Sequence, residues 1–146
     1  MTTHSSILLI NDSQGECKLF RLALTQTGLN VALYMEHDAE AALHFLSNRA
    51  RHEPLPSVIL LGWHLQKQHG DEFLRRLRAD RRLTSIPVVV FTTSDDAADL
   101  AASYRHGTNG YAVKPGTFEE LVRFATDFCQ YWIDWNRTPH GVETRC

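Results

Sequence analysis

Polar residues, with one glycine and one tryptophan among them, follow four apolar runs of the sequence, each at the point where the run ends. They are Asn11 and Asp12 after the first run, Gly62, Trp63 and His64 after the third, Thr92 and Thr93 after the fourth, and Lys114 after the fifth. Carboxylate, hydroxyl, imidazole and ammonium groups can bind ions or exchange protons. They can act together only if the fold brings these chain positions to one edge.

Five apolar runs predict five strands, and each is followed by a stretch with helical spacing of its apolar residues. The predicted strands are Ser6–Ile10, Val31–Met35, Val58–Leu61, Val88–Phe91 and Tyr111–Val113. The third and fourth are continuously apolar, as is typical of central parallel strands covered on both faces. The predicted fold class is therefore α/β, a doubly wound (βα)5 domain with a five-stranded parallel sheet. Its ligand crevice is expected beyond the carboxyl ends of the strands.

Helix boundaries also carry sequence signals. The predicted capping boxes pair Ser13 with Glu16 and Thr117 with Glu120. Asp38 and Asp95 are predicted N-caps, and Gly28 and Gly107 are predicted to follow helix ends.

Composition limits the classes of protein to consider. A chain of 146 residues that is 43% hydrophobic predicts one domain, here residues 1–136, followed by a polar tail, 137–146, expected to fray. A net charge of -2 gives no general attraction to nucleic acid or an anionic membrane. The run Ile7–Ile10 is too short for a signal peptide or membrane span, so a cytoplasmic location is predicted. Cys17, Cys129 and Cys146 lack metal-binding spacing and are expected to be reduced and structural.

Two longer motifs accompany the strand ends. Gly110 to Pro115 reads GlyTyrAlaValLysPro, and Pro87 to Ser94 reads ProValValValPheThrThrSer. With the order and spacing of the elements, they make the chain from Ile7 to about Phe128 resemble the receiver domain of two-component response regulators. The resemblance implies the CheY-like, flavodoxin-like fold.

In that family, an acidic pair after the first strand and an Asp ending the third hold Mg²⁺, and this last Asp accepts a phosphoryl group from a histidine kinase. Here the pair is Asn11 and Asp12, and Gly62 stands at the acceptor position. The resemblance implies a metal carboxylate at Asp12 and a carbonyl ligand at His64. It also implies a phosphoryl pocket and switch formed by Thr92, Thr93, Tyr111 and Lys114.

Glycine has no side-chain oxygen that could form an acyl phosphate, so the usual reaction cannot occur at Gly62. With one carboxylate left, Mg²⁺ binding is expected to be weak or absent, and no other cofactor is implied. Lys114 would then have Asp12 as its nearest partner, a pair expected to hold the strand ends together without metal.

Two further segments are rich in arginine and in aromatic residues, respectively. The arginines at 75, 76, 78, 81 and 82 alternate with apolar and acidic residues, which favours a solvated helix face over a nucleic-acid site. Near the C-terminus, aromatic residues at helical spacing extend beyond the length needed to cover a sheet, which predicts an extended last helix and an interface. The interface candidates are Tyr104, Phe124, Phe128, Tyr131, Trp132 and Trp135.

The ThrThrSer segment and this aromatic tail also resemble the small response regulators that serve bacterial phytochrome kinases, a subgroup that tends to dimerise. The sequence thus favours a non-enzymatic pseudo-receiver that binds a histidine kinase, for example a bacteriophytochrome, and forms a homodimer. Two alternatives remain. One is a phosphorylatable receiver with a substitute acceptor, His64 or Asp71. The other is a sensor that binds a small anion or nucleotide beside Lys114 and Thr92.

Overall fold

The computed structural model describes residues 5–66 and 69–139. Its strands are β1 (Ser6–Ile10), β2 (Ala32–Glu36), β3 (Val58–Leu61), β4 (Val88–Thr92) and β5 (Gly110–Val113). Its helices are α1 (Gln14–Gln26), α2 (Ala39–His52), α3 (Gly70–Ala79), α4 (Ala97–Arg105) and α5 (Phe118–Cys129), and a π-helix, Gln130–Trp135, continues α5. The predicted strands are all present, with boundaries shifted by at most one residue.

All strands are parallel and lie in the order β2-β1-β3-β4-β5. The chain passes from β1 outward to β2 and then crosses back to β3 on the other side of β1. The carboxyl ends of β1 and β3 therefore flank the point where strand order reverses, which is the usual ligand crevice of such sheets. The predicted fold class is confirmed.

Helices cover both faces of the sheet and create two apolar layers. Helices α1 and α5 close one layer, in which Phe20 and Phe128 are buried. Helices α2 and α3 close the other around Phe73 and Leu46, and Ala102 of α4 packs against it. Because β1, β3 and β4 are buried along their whole length, their carboxyl ends form a rigid platform for the polar residues that follow.

Three predicted N-caps are confirmed, since the side chains of Ser13, Asp38 and Thr117 each accept a hydrogen bond from the backbone of the first helical turn. The prediction for α4 was wrong by one residue. Asp96 caps it by accepting from the Ala98 N–H, and the Ser94 hydroxyl fixes Asp96 by accepting its N–H at 3.1 Å. Gly28 and Gly107 have positive φ after α1 and α4, as predicted.

The arginine-rich face of α3 differs from its prediction at one position. Arg75 of α3 and Arg82, which follows this helix, pair with nearby carboxylates on the surface. Arg78 is instead partly buried and donates to four neutral acceptors, the carbonyls of Gly107, Thr84 and Ile86 and the Asn109 side chain. Burial lowers the pKa of Arg78. Its planar fork ties α3 to the chain segments that enter β4 and β5.

The C-terminal helix is extended, as predicted, but it changes type at Gln130 and runs to Trp135 as a π-helix. The predicted tail begins at Arg137, and residues 140–146 lie outside the described part of the chain. Cys17 and Cys129 are buried free thiols. In the described ranges, no helix is both long and apolar enough to cross a membrane.

Candidate functional site

Asn11 directly follows β1 and is buried. Its Oδ1 accepts the Ser13 N–H at 2.8 Å, and its Nδ2 donates to Glu16 Oε1 at 2.9 Å. The side chain thus joins the end of β1 to the first turn of α1. The capping box predicted here is half formed, because Glu16 turns toward Asn11 rather than back to the Ser13 N–H.

Asp12 faces the loop that follows β3. Its Oδ2 accepts the Gln66 N–H at 2.6 Å, across 54 positions of sequence. A carboxylate bonded to a backbone donor is an effective anchor for a loop. Asp12 therefore holds the β3–α3 loop against the end of β1.

Gly62 lies at the end of β3 and donates its N–H to the Ile10 carbonyl at 2.8 Å. A Cβ atom at this position would lie 3.0 Å from Ile10 O and 3.3 Å from Leu65 Cδ2. Leu65 itself is 6% exposed and belongs to the core layer under α2 and α3. A carbonyl and a leucine methyl group therefore border the direction in which a side chain would leave Gly62.

Lys114 forms an ion pair with Glu16, and its ammonium lies 5.7 Å from the centre of the Phe91 ring. The predicted pair with Asp12 is thus wrong. The hydrogen bonds from Lys114 and Asn11 lower the pKa of Glu16. Sequence reasoning missed Glu16 as a site residue because its position in the first turn of α1 already suggested a cap.

Thr92 is buried at the end of β4, and its hydroxyl accepts the Ser94 N–H at 3.3 Å. Thr93 is exposed. Tyr111 of β5 is partly buried, and its hydroxyl donates to the Ser94 carbonyl at 2.7 Å. Loss of hydration raises the pKa of Tyr111. Ser94, which sequence reasoning did not single out, therefore connects the predicted switch residues.

His64 is exposed, and its Nε2 lies 2.8 Å from Asp99 Oδ2 of α4. The same oxygen accepts the Ser94 hydroxyl at 2.8 Å. These bonds, that of His64 first, lower the pKa of Asp99, and the Trp63 side chain adds a smaller effect. The polar residues after β3 and β4 thus share one carboxylate that the sequence did not indicate.

Comparison with known proteins agrees with this geometry. The family profile of the response regulator receiver domain matches residues 7–126. The chain belongs to the response regulator receiver family. It is thus a two-component signalling protein, and receiver domains of this kind interact with histidine kinases.

Individual relatives place this receiver near phytochrome-linked regulators. A probable methanogenesis regulatory protein, FilR2 of Methanothrix harundinacea, is 36% identical over 91% of this chain and 86% of its own. Response regulator Rcp1 of Synechocystis is 32% identical over 88% of each chain. The phosphorylated cyanobacterial phytochrome response regulator RcpA superposes with a TM-score of 0.84 at 27% identity, covering 94% of this chain and 99% of that one.

The magnesium ion expected in receivers does not fit the side chains of this one. Asn11 is uncharged and bonded on both side-chain atoms, and Gly62 contributes no side chain. The Asp12 carboxylate is bonded to Gln66. Within residues 5–66 and 69–139, no group of three or more His, Cys, Asp or Glu side chains is arranged to hold a metal ion. Mg²⁺ prefers several oxygen ligands with near-ideal octahedral geometry, which this donor set lacks.

The receiver's predicted interface residues divide into two groups. Phe128 is buried in the core, and Phe124 and Trp132 pack against the same layer, with the Phe124 ring stacked on Phe91. Tyr104, Tyr131 and Trp135 are 52%, 53% and 77% exposed. Only this second group can offer a partner large aromatic area.

Proposed function

We propose that this protein is a pseudo-receiver, a response regulator that signals by protein binding without accepting a phosphoryl group. The observation that carries the proposal is the environment of Gly62. The position lacks a nucleophilic oxygen, and Ile10 O and Leu65 Cδ2 lie 3.0 and 3.3 Å from the point where a side chain would start. The protein is thus not an enzyme in our proposal, because no group at the acceptor position can take part in covalent chemistry.

The remaining charged groups support the same proposal. Asp12 is engaged by the Gln66 N–H and Lys114 by Glu16. In a phosphorylatable receiver these two positions serve the metal ion and the acceptor carboxylate. Here both serve contacts within the protein, so binding of Mg²⁺ should be weak or absent.

The proposed partner is a histidine kinase of the bacteriophytochrome class. The support is the likeness to regulators named for phytochrome signalling, at 27 to 35% identity. In this proposal the receiver binds the kinase, at the surface that a second, phosphorylatable receiver would use, and does not accept the phosphoryl group.

Phosphoryl incorporation tests the proposal directly. The full chain is incubated with Mg²⁺ and acetyl phosphate, and separately with an autophosphorylated bacteriophytochrome, and its intact mass is measured. A receiver with the acceptor aspartate serves as positive control. We expect that the mass of the chain does not increase and that the phosphoryl group stays on the kinase.

Two results would contradict the proposal and identify which alternative holds. A phosphoryl group lost in mild alkali would indicate an acyl phosphate on a carboxylate such as Asp71. A group that is lost in acid but stable in alkali would indicate phosphohistidine at His64. A small-anion sensor at Lys114 would appear instead as thermal stabilisation by inorganic phosphate or a nucleotide, abolished in Lys114→Met.

We further propose that the exposed aromatic residues mediate a homodimer. Trp135, at 77% exposure, and Tyr131 extend beyond the helix turns that cover the sheet, and exposed aromatic side chains are enriched at interfaces. Sedimentation velocity should show a dimer that Trp135→Ser weakens by at least about tenfold in Kd, as truncating an interface hot spot does. Leu22→Ser, at a 56% exposed position of α1, is the control. Equal effects of the two changes, or a monomeric wild-type protein, would contradict the proposal.

A further inference from the structure

His64 connects two segments that are remote in sequence. It follows the acceptor position by two residues, and its Nε2 contacts Asp99 of α4, 35 positions away, at 2.8 Å. The His64 side chain is 49% exposed and that of Asp99 is 20% exposed. The β3–α3 loop is thus attached to α4 by a bond made at the protein surface, where it can be altered without disturbing the core.

The contact continues from Asp99 to β5. The Ser94 hydroxyl donates to the same Oδ2 at 2.8 Å and accepts the N–H of Asp96, the N-cap of α4. The Ser94 carbonyl accepts the Tyr111 hydroxyl at 2.7 Å. One series of hydrogen bonds therefore joins the loop after β3, the start of α4 and the ring of Tyr111.

We propose that His64 is a positioning residue that fixes the start of α4 and Tyr111 in one arrangement through Asp99 and Ser94. We call His64, Asp99, Ser94 and Tyr111 the latch. The proposal rests on the function proposed above, since without a phosphoryl group some other contact must connect the β3 end to α4 and β5. The latch provides that contact from groups already in the chain.

Amide NMR and hydrogen exchange on the full chain test the latch. In His64→Ala, the amide signals of α4 and of Tyr111 should shift, and the α4 amides should exchange roughly fivefold faster, because an exposed polar contact contributes modestly. Signals from β1 and α1 should stay in place. His64→Gln, whose side-chain amide can also donate to Asp99, should restore the wild-type signals. His69→Ala, which removes the neighbouring ring and leaves the bond, is the control.

Either of two outcomes would overturn the latch: α4 and Tyr111 signals unchanged in His64→Ala, or shifts in His64→Gln as large as those in His64→Ala. The wild-type sample is also treated with acetyl phosphate, and its intact mass is measured. If it gains a phosphoryl group at a residue other than His64 while His64→Ala still shifts the α4 and Tyr111 signals, the pseudo-receiver proposal is contradicted and the latch is not. If the α4 and Tyr111 signals do not move in His64→Ala and no phosphoryl group is gained, the latch alone is contradicted.

Discussion

The carboxyl edge of the sheet has two halves that differ in what they retain. The acceptor half, at the ends of β1 and β3, carries Asn11, Asp12 and Gly62. The relay half, at the ends of β4 and β5, carries Thr92, Tyr111 and Lys114, residue types that fit the receiver pattern. The receiver pattern implies a carboxylate at each of the three acceptor-half positions, and Asp12 alone of these three supplies one. The relay half has the hydroxyls and the cation that the pattern implies.

The contacts of the two halves explain how the edge holds together without metal or phosphate. In the acceptor half, Asn11 and Asp12 bond to a helix start and to a loop. In the relay half, Lys114 pairs with Glu16, and Tyr111 bonds to the Ser94 carbonyl. Each charge that would serve a phosphoryl group thus has a partner within the protein. In the proposed pseudo-receiver, the remaining site residues thus have a structural role without an acceptor.

The largest expected effect comes from placing a carboxylate at Gly62. Gly62→Asp should lower the free energy of unfolding by about 3 kcal/mol, because the new Cβ would lie 3.0 Å from Ile10 O and 3.3 Å from Leu65 Cδ2, which is tighter than ordinary van der Waals contact. Urea denaturation measures the loss. Gly116→Asp is a matched control, since a Cβ there meets nothing within 4 Å, and it should cost less than about 0.5 kcal/mol.

If Gly62→Asp is as stable as Gly116→Asp, the acceptor half still has room for its carboxylate. Leu65 would then have to move at little cost, and the packing argument for the pseudo-receiver would fail.

Leu65 limits the space at Gly62 in the acceptor half. Leu65→Ala should cost about 2 kcal/mol, the low end for a buried leucine because this one lies in a surface loop. Leu22→Ala, at a 56% exposed site, should cost less than about 0.5 kcal/mol. In the Leu65→Ala background, the cost of Gly62→Asp should also fall, since the methyl contact is gone. Strictly additive losses would show that Leu65 does not limit the space at Gly62.

The sequence predicted the sheet and its polar edge better than it predicted the hydrogen bonds and ion pairs formed at that edge. Continuous apolar runs such as Val58–Leu61 admit few alternatives to a buried parallel strand, so the sheet and its polar edge followed directly. The partner of Lys114 did not follow, because Asp12 and Glu16 both lie near the end of β1. The choice between them depended on where the Gln66 N–H would lie, and the geometry of that loop has no sequence signal.

The same limit explains two smaller errors. Asp95 and Asp96 are equivalent as cap residues in sequence, and the Ser94 hydroxyl, by bonding to the Asp96 N–H, selects the second. Arg78 stands in a run of arginines that suits a solvated face, yet the carbonyls that it binds come from two other chain segments, those that enter β4 and β5. A neighbouring hydroxyl decided the first case and acceptors distant in sequence decided the second. Neither follows from the periodicity that predicts the strands and helices.

The smallest expected effect concerns the pair that links the two halves. Lys114→Met should cost about 0.5 kcal/mol at neutral pH, since Glu16 is 48% exposed and exposed ion pairs contribute little. Lys114 and Asn11 lower the pKa of Glu16 from its ordinary value of 4.5, so their stabilisation is present above that pH and is lost as pH falls through the folded-state value. Wild type and variant should therefore converge in acid, as followed by urea midpoints across pH. Lys18→Met, at an exposed position of α1, should track the wild type throughout. A Lys114→Met loss that persists unchanged in acid would mean that the lysine acts through its stem against Phe91 rather than through Glu16, and the two halves would then be joined by packing instead of charge.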